Sequence, residues 1–530
     1  MENTHTSTPA PDQAPSAAPK KKRVRQRDLE RSLEYKNKKK GQPASHGEAS
    51  HAAGKPAAAK PAAGKPAAVG GNDQQPTRNP LNKSGLSCPI EDKCGGCQML
   101  GISYKTQLKI KQGQMELLFG QVLDPECEVN AICGMNNPKH YRNKVVSPFV
   151  GIFDKRLRKR RVLCGMYEKG THRVINSREC LIENTQAKAI ICSIRDMMLG
   201  YGIEPYNEDE DTGMLRHAQV RVGHTSGEIM VTLVTREEAF PQAKSFVKAL
   251  VAKHPQITTV VQNVNTKRTN AIMGDVEHRL YGPGFILDDL CGLRFRISSR
   301  SFYQVNSRQT EVLYTRAVQM ARLTGTEKVL DAYCGTGTIG LVAAKGIAGA
   351  PGAAQVLGVE ERPDAVADAR NNAARNGIES ATFIQADASS YLRALANRGE
   401  RYDVLFMDPP RAGSTPEFLE AAVALAPERI VYVSCNPETQ LRDAQYLIEQ
   451  GYRIMEMQPV DMFPHTPHVE NIIMLSKRAD QKDTAGAGGV VAADGPATDA
   501  AAAAGAPDIV DRDASPCGMK ECEDCHESGE

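Results

Sequence analysis

The stretch Val329-Leu330-Asp331-Ala332-Tyr333-Cys334-Gly335-Thr336-Gly337 decides how this chain is read. It follows a predicted strand, Lys328-Val329-Leu330-Asp331, and opens a predicted helix. Its glycines permit a tight turn and a close approach of backbone to a ligand. The helix N-terminus adds N–H groups with no intrahelical partner. Around it, residues 309–478 alternate strand and helix. Helix Gln309–Leu323 comes before it; strand Gln355–Glu360, helix Pro363–Asn376 and strands Ala381–Gln385, Asp403–Met407 and Ile430–Val433 come after. Such alternation predicts an α/β domain on a parallel sheet.

Two carboxylates extend the reading. Glu360 ends the next strand, where it can accept both hydroxyls of a ribose, and Asp387 lies near the end of the third, where it can accept an adenine amino group. Gly335, Gly337 and Gly340 match the dinucleotide pattern Gly-x-Gly-x-x-Gly. Asp331 just before the turn, with the other two strand-end signals in order, fits S-adenosylmethionine better. The bland alternative is an ordinary strand–helix turn.

Three later motifs fall at or beyond strand ends, where ligands bind in open α/β sheets. They are Asp408-Pro409-Pro410-Arg411-Ala412-Gly413, Ser434-Cys435-Asn436-Pro437 and Phe463–Glu470. Cys435 enters a turn beside a proline, which presents its sulfur. A thiol is well suited to add to an electron-poor carbon. Glu470 is the natural acid/base partner. A lone cysteine is otherwise a buried hydrophobe, and a lone glutamate a solvated surface group.

Upstream, residues 145–300 read as β-rich, with strands at Glu228–Thr235 and Thr258–Val264 and a helix at Asn184–Leu199. Lys155-Arg156-Leu157-Arg158-Lys159-Arg160-Arg161 suits a loop along phosphates, or a solvated hairpin tip. A helix is predicted over Tyr104–Leu118. Ahead of it, Cys88, Cys94 and Cys97 fall within ten residues, with Gly95 and Gly96 letting the loop wrap tightly. Three close thiols need a fourth ligand, from Cys127, Cys133, Cys164, Cys180 or Cys192, and both an iron–sulfur cluster and tetrahedral zinc accept four thiolates. Fourteen cysteines without a signal peptide argue for thiols in a cytosolic chain rather than disulfides.

The chain has 530 residues, 41% hydrophobic and 24% charged, room for two to four domains. Residues 1–85 carry 16 Lys/Arg against 7 Asp/Glu and a crude Lys-Pro-Ala repeat; residues 479–530 carry 3 against 12. Both read as disordered tails, one basic and one acidic. Cys517, Cys522, Cys525 and His526 imitate a metal site inside the acidic one. No run of eighteen apolar residues exists, which excludes a transmembrane helix; the chain is expected in the cytoplasm.

Taken in order, Ser301-Phe302-Tyr303-Gln304-Val305-Asn306, Asp331–Gly337, Asp408–Gly413, Ser434–Pro437, Phe463–Glu470 and the cysteine cluster resemble the S-adenosylmethionine-dependent RNA uracil-5 methyltransferases. The resemblance spans about 86–478 and implies a Rossmann-like methyltransferase domain. It implies a division into a cluster segment (86–145), a β-rich RNA-binding domain (146–300) and a catalytic domain (301–478). It assigns Cys435 as nucleophile toward uracil C6 and Glu470 as base toward the C5 proton. Gln304, Asp331, Tyr333, Gly335, Gly337, Glu360, Asp387 and Asp408 fall at the cofactor, Phe302 near the uracil. Arg142, in Tyr141-Arg142-Asn143-Lys144, matches a segment that faces RNA, beside Arg156, Arg158, Lys159 and Arg160. Cys180 becomes the fourth ligand of a [4Fe–4S] cluster with Cys88, Cys94 and Cys97, and cluster-bearing relatives point to 23S rRNA ahead of tRNA. Many relatives open with a small β-barrel RNA-binding module, and residues 1–85 show no run of alternating strands that would predict one. No obligate protein partner is evident. The rival from another class is a metal-binding, RNA-binding protein on a methyltransferase scaffold; retention of both Cys435 and Glu470 argues against it.

Overall fold

The computed structural model describes residues 84–268 and 271–478. Both terminal segments, with Cys517, Cys522 and Cys525, lie outside the described residues. After a cysteine-rich loop, helix α1 (Tyr104–Phe119) leads to the two-residue strand β1 (Glu128–Val129). Met115 and Phe119 of α1 are buried in the same apolar cluster as Leu405 and Ile430 of the C-terminal sheet. Its Lys111 forms a fully buried ion pair with Asp461 (Nζ–Oδ1 2.5 Å).

The central region is built from β2 (Lys144–Asp154), β3 (Lys159–Tyr167), β4 (Val174–Asn176), α2 (Thr185–Met198), β5 (Leu215–Val222), β6 (Ile229–Thr235), α3 (Ala243–Lys253), β7 (Ile257–Val264) and β8 (Val276–Tyr281). They form a seven-stranded sheet in the order β4-β3-β2-β5-β6-β7-β8. Only β6 and β7 run parallel, with α3 as their crossover. Asn184 caps α2, its side-chain oxygen accepting from Ala187 N at 3.1 Å, as Asn does at helix N-termini. Ile190, Ile191 and Ile194 of α2 lie in one core with Ala218 and Val220 of β5.

A hairpin, β9 (Phe285–Leu290) and β10 (Leu293–Ser298), precedes α4 (Ser307–Met320), β11 (Lys328–Ala332), α5 (Thr338–Lys345), β12 (Gln355–Glu360), α6 (Pro363–Arg375), β13 (Ala381–Gln385), α7 (Ala388–Asn397), β14 (Val404–Met407), α8 (Pro416–Leu425), β15 (Arg429–Ser434), α9 (Pro437–Glu449), β16 (Tyr452–Val460) and β17 (Glu470–Lys477). The sequence-predicted strands and helices of this half appear within a few residues of their expected ends. The eight-stranded sheet runs β1-β16-β17-β15-β14-β11-β12-β13. Strands β11 to β15 are mutually parallel, whereas β17 is antiparallel to both β15 and β16. Both faces are covered. Val329, Val431 and Val433 enter one core cluster, and Leu330, Ile430 and Tyr432 the other. That double burial explains the continuous apolar runs of these strands. Each fully buried Val, Leu or Ile is worth about 1.5–3 kcal/mol, so a charge at Val431 would break the sheet at its centre.

Candidate active site

The glycine-rich turn leaves the carboxyl end of β11. Asp331 is buried, and its Oδ2 accepts from Gly340 N of α5 at 2.8 Å, which ties strand to helix across the turn. Gly335 and Gly337 have φ of 56° and 78°, the left-handed region that favours glycine. A Cβ on Gly337 would also lie 2.8 Å from the Phe383 ring. Glu360, at the end of β12, accepts from Gly335 N at 3.0 Å and from Arg362 N at 3.0 Å. Tyr333, itself at φ 60°, packs its ring 4.9 Å from Phe418.

Phe302, Tyr314, Asp331, Tyr333, Gly335 and Asp408 line one small cavity at these strand ends. Phe302 is 68% exposed and forms its mouth. Burial pushes both Asp331 and Asp408 up to about 7; for Asp331 the nearby Asp408 and Glu360 add to the effect. Asp387 lies near enough to Tyr333, a residue of that cavity, for its charge to help burial raise the Tyr333 hydroxyl. It is exposed and caps α7, its Oδ1 accepting from Ser390 N (2.9 Å) and Ser390 Oγ (2.8 Å).

Cys435 follows the last residue of β15, and Glu470 opens β17. The antiparallel register pairs Ser434 with Asn471, so Cys435 and Glu470 come next to each other one step beyond the ladder. Burial raises the Cys435 thiol to about 11, helped by the charges of Glu470 and Asp408 and opposed by Arg411. Glu470 is 2% exposed; burial, then Asp408, lifts it to about 8. Asn436 holds the turn, donating from Nδ2 to Arg411 O at 3.1 Å and capping α9. Arg411, in the Asp408–Gly413 motif, supplies the cation that opposes the carboxylates around the thiol.

The loop 301–306 is braced from β2. Asn143 N donates to Val305 O (2.8 Å), and its Nδ2 donates to Gln304 O and Ser307 Oγ (2.9 Å each). Gln304 is 8% exposed, two residues beyond Phe302 in this loop. The turn before Glu470 is braced from the cysteine segment. Met99 N donates to His465 O (2.9 Å), Gln107 exchanges bonds with His465, and Tyr141 Oη donates to Pro464 O (3.1 Å). Burial depresses His465, and both ring nitrogens are engaged, Nδ1 with Gln107 Nε2 (3.2 Å) and Nε2 with Pro138 O (3.0 Å).

Cys88, Cys94, Cys97 and Cys180 line a single cavity of about 190 Å³. Burial pushes the Cys97 thiol to about 12, and Cys180, Cys94 and Cys88 push in the same direction. Burial likewise raises Cys180 to about 11. Gly96 N points at Cys94 Sγ at 3.4 Å. Among the described residues no three His, Cys, Asp or Glu side chains converge as a grip for one ion. Tetrahedral zinc needs its sulfurs about 3.8 Å apart, given Zn–S bonds of about 2.3 Å. Cys164 is not among the thiols of this cavity; it is buried in the central core, hydrogen-bonded to Cys192.

The cations divide. Arg142 lines the thiol cavity, and its charge favours ionisation of Cys97. Its main chain is held by Ile182 and Asn184. The structure therefore sets it among the thiols, apart from the exposed hairpin. Arg160 is engaged by both carboxylate oxygens of Glu204. Arg156, Arg158 and Lys159 are exposed at the β2–β3 turn.

A parallel sheet with an antiparallel strand between β15 and β16, a glycine turn after β11 and carboxylates at the strand ends define a Rossmann-like methyltransferase. The chain belongs to the tRNA (Uracil-5-)-methyltransferase family, which it matches over residues 103–478. An RNA methyltransferase of Bacillus cereus, itself uncharacterized, is 40% identical over 402 residues, covering 76% of this chain and 85% of that protein. Another from Enterococcus faecalis is 43% identical over 406 residues, covering 76% and 86%. Among solved structures, the Pyrococcus abyssi tRNA (uracil-54, C5)-methyltransferase in complex with S-adenosyl-L-homocysteine is similar at 28% identity and TM-score 0.59. That match covers 73% of this chain and 86% of that one. No helix among the described residues is long and apolar enough to cross a membrane.

Proposed function

We propose that this RNA methyltransferase transfers a methyl group from S-adenosylmethionine to C5 of a uridine through a covalent adduct at C6. The observation that carries the reading is Cys435 set beside buried Glu470, at the same sheet edge as the glycine turn. Uracil C5 is a poor nucleophile. Addition of the Cys435 thiolate to C6 makes C5 enolate-like and able to attack carbon. S-adenosylmethionine supplies the methyl group and brings a positive sulfonium that suits a site of three raised carboxylates, Asp331, Asp408 and Glu470. Glu470 then takes the C5 proton, the C6–S bond breaks, and Cys435 is freed. Phe302, exposed at the cavity, stacks on the uracil, which must leave its helix to be reached. Glu360 and the turn at Gly335 and Gly337 hold the adenosine end.

Cys88, Cys94, Cys97 and Cys180 would hold a [4Fe–4S] cluster; shared lining of one cavity supports this. With all four thiolates spent on iron, no position is left for substrate, so its part is structural. The cysteine pattern favours 23S rRNA as substrate. The likeness to a tRNA-modifying enzyme favours tRNA as the second reading. Mass mapping of 5-methyluridine in both RNAs from a deletion strain, with and without the Cys435→Ala gene restored, tests the reading. Unchanged 5-methyluridine in every RNA of the deletion strain would refute it.

A further inference from the structure

The β2–β3 hairpin outreaches its sheet. Phe149, Val162 and Cys164 at its base are buried in the central core. From Gly151 to Arg161 every residue is exposed except half-buried Asp154. Register pairs Phe153 with Arg160 and Asp154 with Lys159. Phe153 is thus on the face that continues the core row of Phe149 and Gly151, past the point where the core ends. It is 62% exposed, and Leu157 at the tip is 51% exposed.

Charge at the tip is sorted by geometry. Asp154 Oδ1 accepts from Arg156 N and Leu157 N at 3.0 Å each, and its Oδ2 takes Arg161 at 2.8 Å. Glu204 takes Arg160. Lys155, Arg156, Arg158 and Lys159 make no ion pair among the described residues. Four unneutralised cations therefore surround an exposed phenylalanine and leucine, on a turn already ordered by Asp154.

Exposed apolar side chains among unpaired cations fit one chemistry well. Single-stranded nucleic acid offers phosphates to the cations and unstacked bases to the ring. A duplex hides its bases from Phe153, and a protein partner gives no reason for four free cations. We propose that this hairpin tip is a single-strand RNA contact, with Phe153 stacking a base and Lys155, Arg156, Arg158 and Lys159 on phosphates, while Arg160 is held back by Glu204. The proposal rests on the RNA reading above and deepens it. Ten residue steps of β2, at about 3.3 Å each, put the tip up to ~33 Å from Lys144, next to the Asn143 brace of the catalytic loop. The contact therefore reads RNA away from the modified uridine and sets affinity and choice of substrate.

Binding of a short fluorescein-labelled oligouridylate, and of an A–U duplex of the same length, is measured by anisotropy over a salt series. Phe153→Ala should weaken single-strand binding roughly five- to a hundredfold, Phe153→Tyr should restore it, and duplex binding should not respond. Arg156→Gln with Arg158→Gln should flatten the single-strand salt slope by about 1.4, near 0.7 per lost phosphate contact. Arg160→Gln should leave that slope unchanged. Calorimetric binding of S-adenosylmethionine shows that each variant is folded. Wild-type affinity for single strands in both the Phe153→Ala and the double Arg variant overturns the proposal, as does an equal Phe153→Ala loss on the duplex. Tritium transfer from S-adenosylmethionine to unmodified RNA by the wild-type protein is followed in parallel. Its absence would count against the proposed function, and a binding result alone counts against the hairpin.

Discussion

Replacing Glu470 by Gln should trap the enzyme on its RNA. The amide is nearly isosteric, and the residue it replaces is 2% exposed, so bulk water has little access to take over as base. General-base help of this kind is worth about 10²–10⁴ in rate. Slowed by that factor, release of the C5 proton becomes the slow step, and adduct should approach one RNA per enzyme. Earlier steps should not suffer. The Glu470 charge is among the causes that hold the Cys435 thiol up, so a neutral amide makes the thiolate easier to form. Iodoacetamide alkylation of Cys435 should accordingly reach its half-maximal rate at lower pH in the variant. The assay is incubation with unmodified RNA and S-adenosylmethionine followed by a denaturing gel. A shifted band that survives denaturation is expected for Glu470→Gln and none for Cys435→Ala. Lost turnover with no adduct in Glu470→Gln would assign the proton to another group. 5-Methyluridine made by Cys435→Ala would refute covalent catalysis itself.

Glu470 carries a folded-state value of about 8 against an ordinary 4.5. Its burial is therefore a penalty that appears as pH rises, and stability is lost through the folded value; between pH 6 and 9, Glu470→Gln should gain roughly 2–3 kcal/mol on the wild type in urea melts. Lys111→Met leaves Asp461 buried with its cation gone and should cost about 3–5 kcal/mol; equal stability of variant and wild type would show that the pair does not hold α1 to the sheet. Gly337→Ala needs both a φ of 78° and room 2.8 Å from Phe383; calorimetry should find S-adenosylmethionine binding lost, and retained affinity would clear the turn of that role. Cys94→Ala should remove iron and sulfide from anaerobically purified protein, whereas Cys164→Ala should leave them; iron lost with Cys164 would mean the wrong thiols were grouped.

The C-terminal sheet was legible because burial on both faces writes unbroken apolar runs between glycine and proline punctuation. Residues such as Val329–Asp331 and Ile430–Val433 carry that signal locally. Sheet order is not local. That β17 enters antiparallel beside β15, setting Glu470 against Cys435, follows from pairings 37 residues apart such as Ser434 with Asn471. Side-chain direction was equally silent. Asp387 reads as a ligand carboxylate by its place after β13; one of its oxygens also caps the first turn of α7, a second task the sequence does not show. Arg142 reads as an RNA contact through its match to a family segment; in the structure it lines the thiol cavity, which its sequence neighbours do not reveal. Tyr141 holds Pro464, Asn143 holds the loop of Gln304 and Val305, and Arg142 and Lys144 border the cysteine cavity. Four consecutive residues thus join the cysteine segment to loop 301–306 and to the turn before Glu470. A loss of order around the thiols has a direct route, through Met99 and Gln107 to His465 and on to Glu470, without any thiol touching substrate.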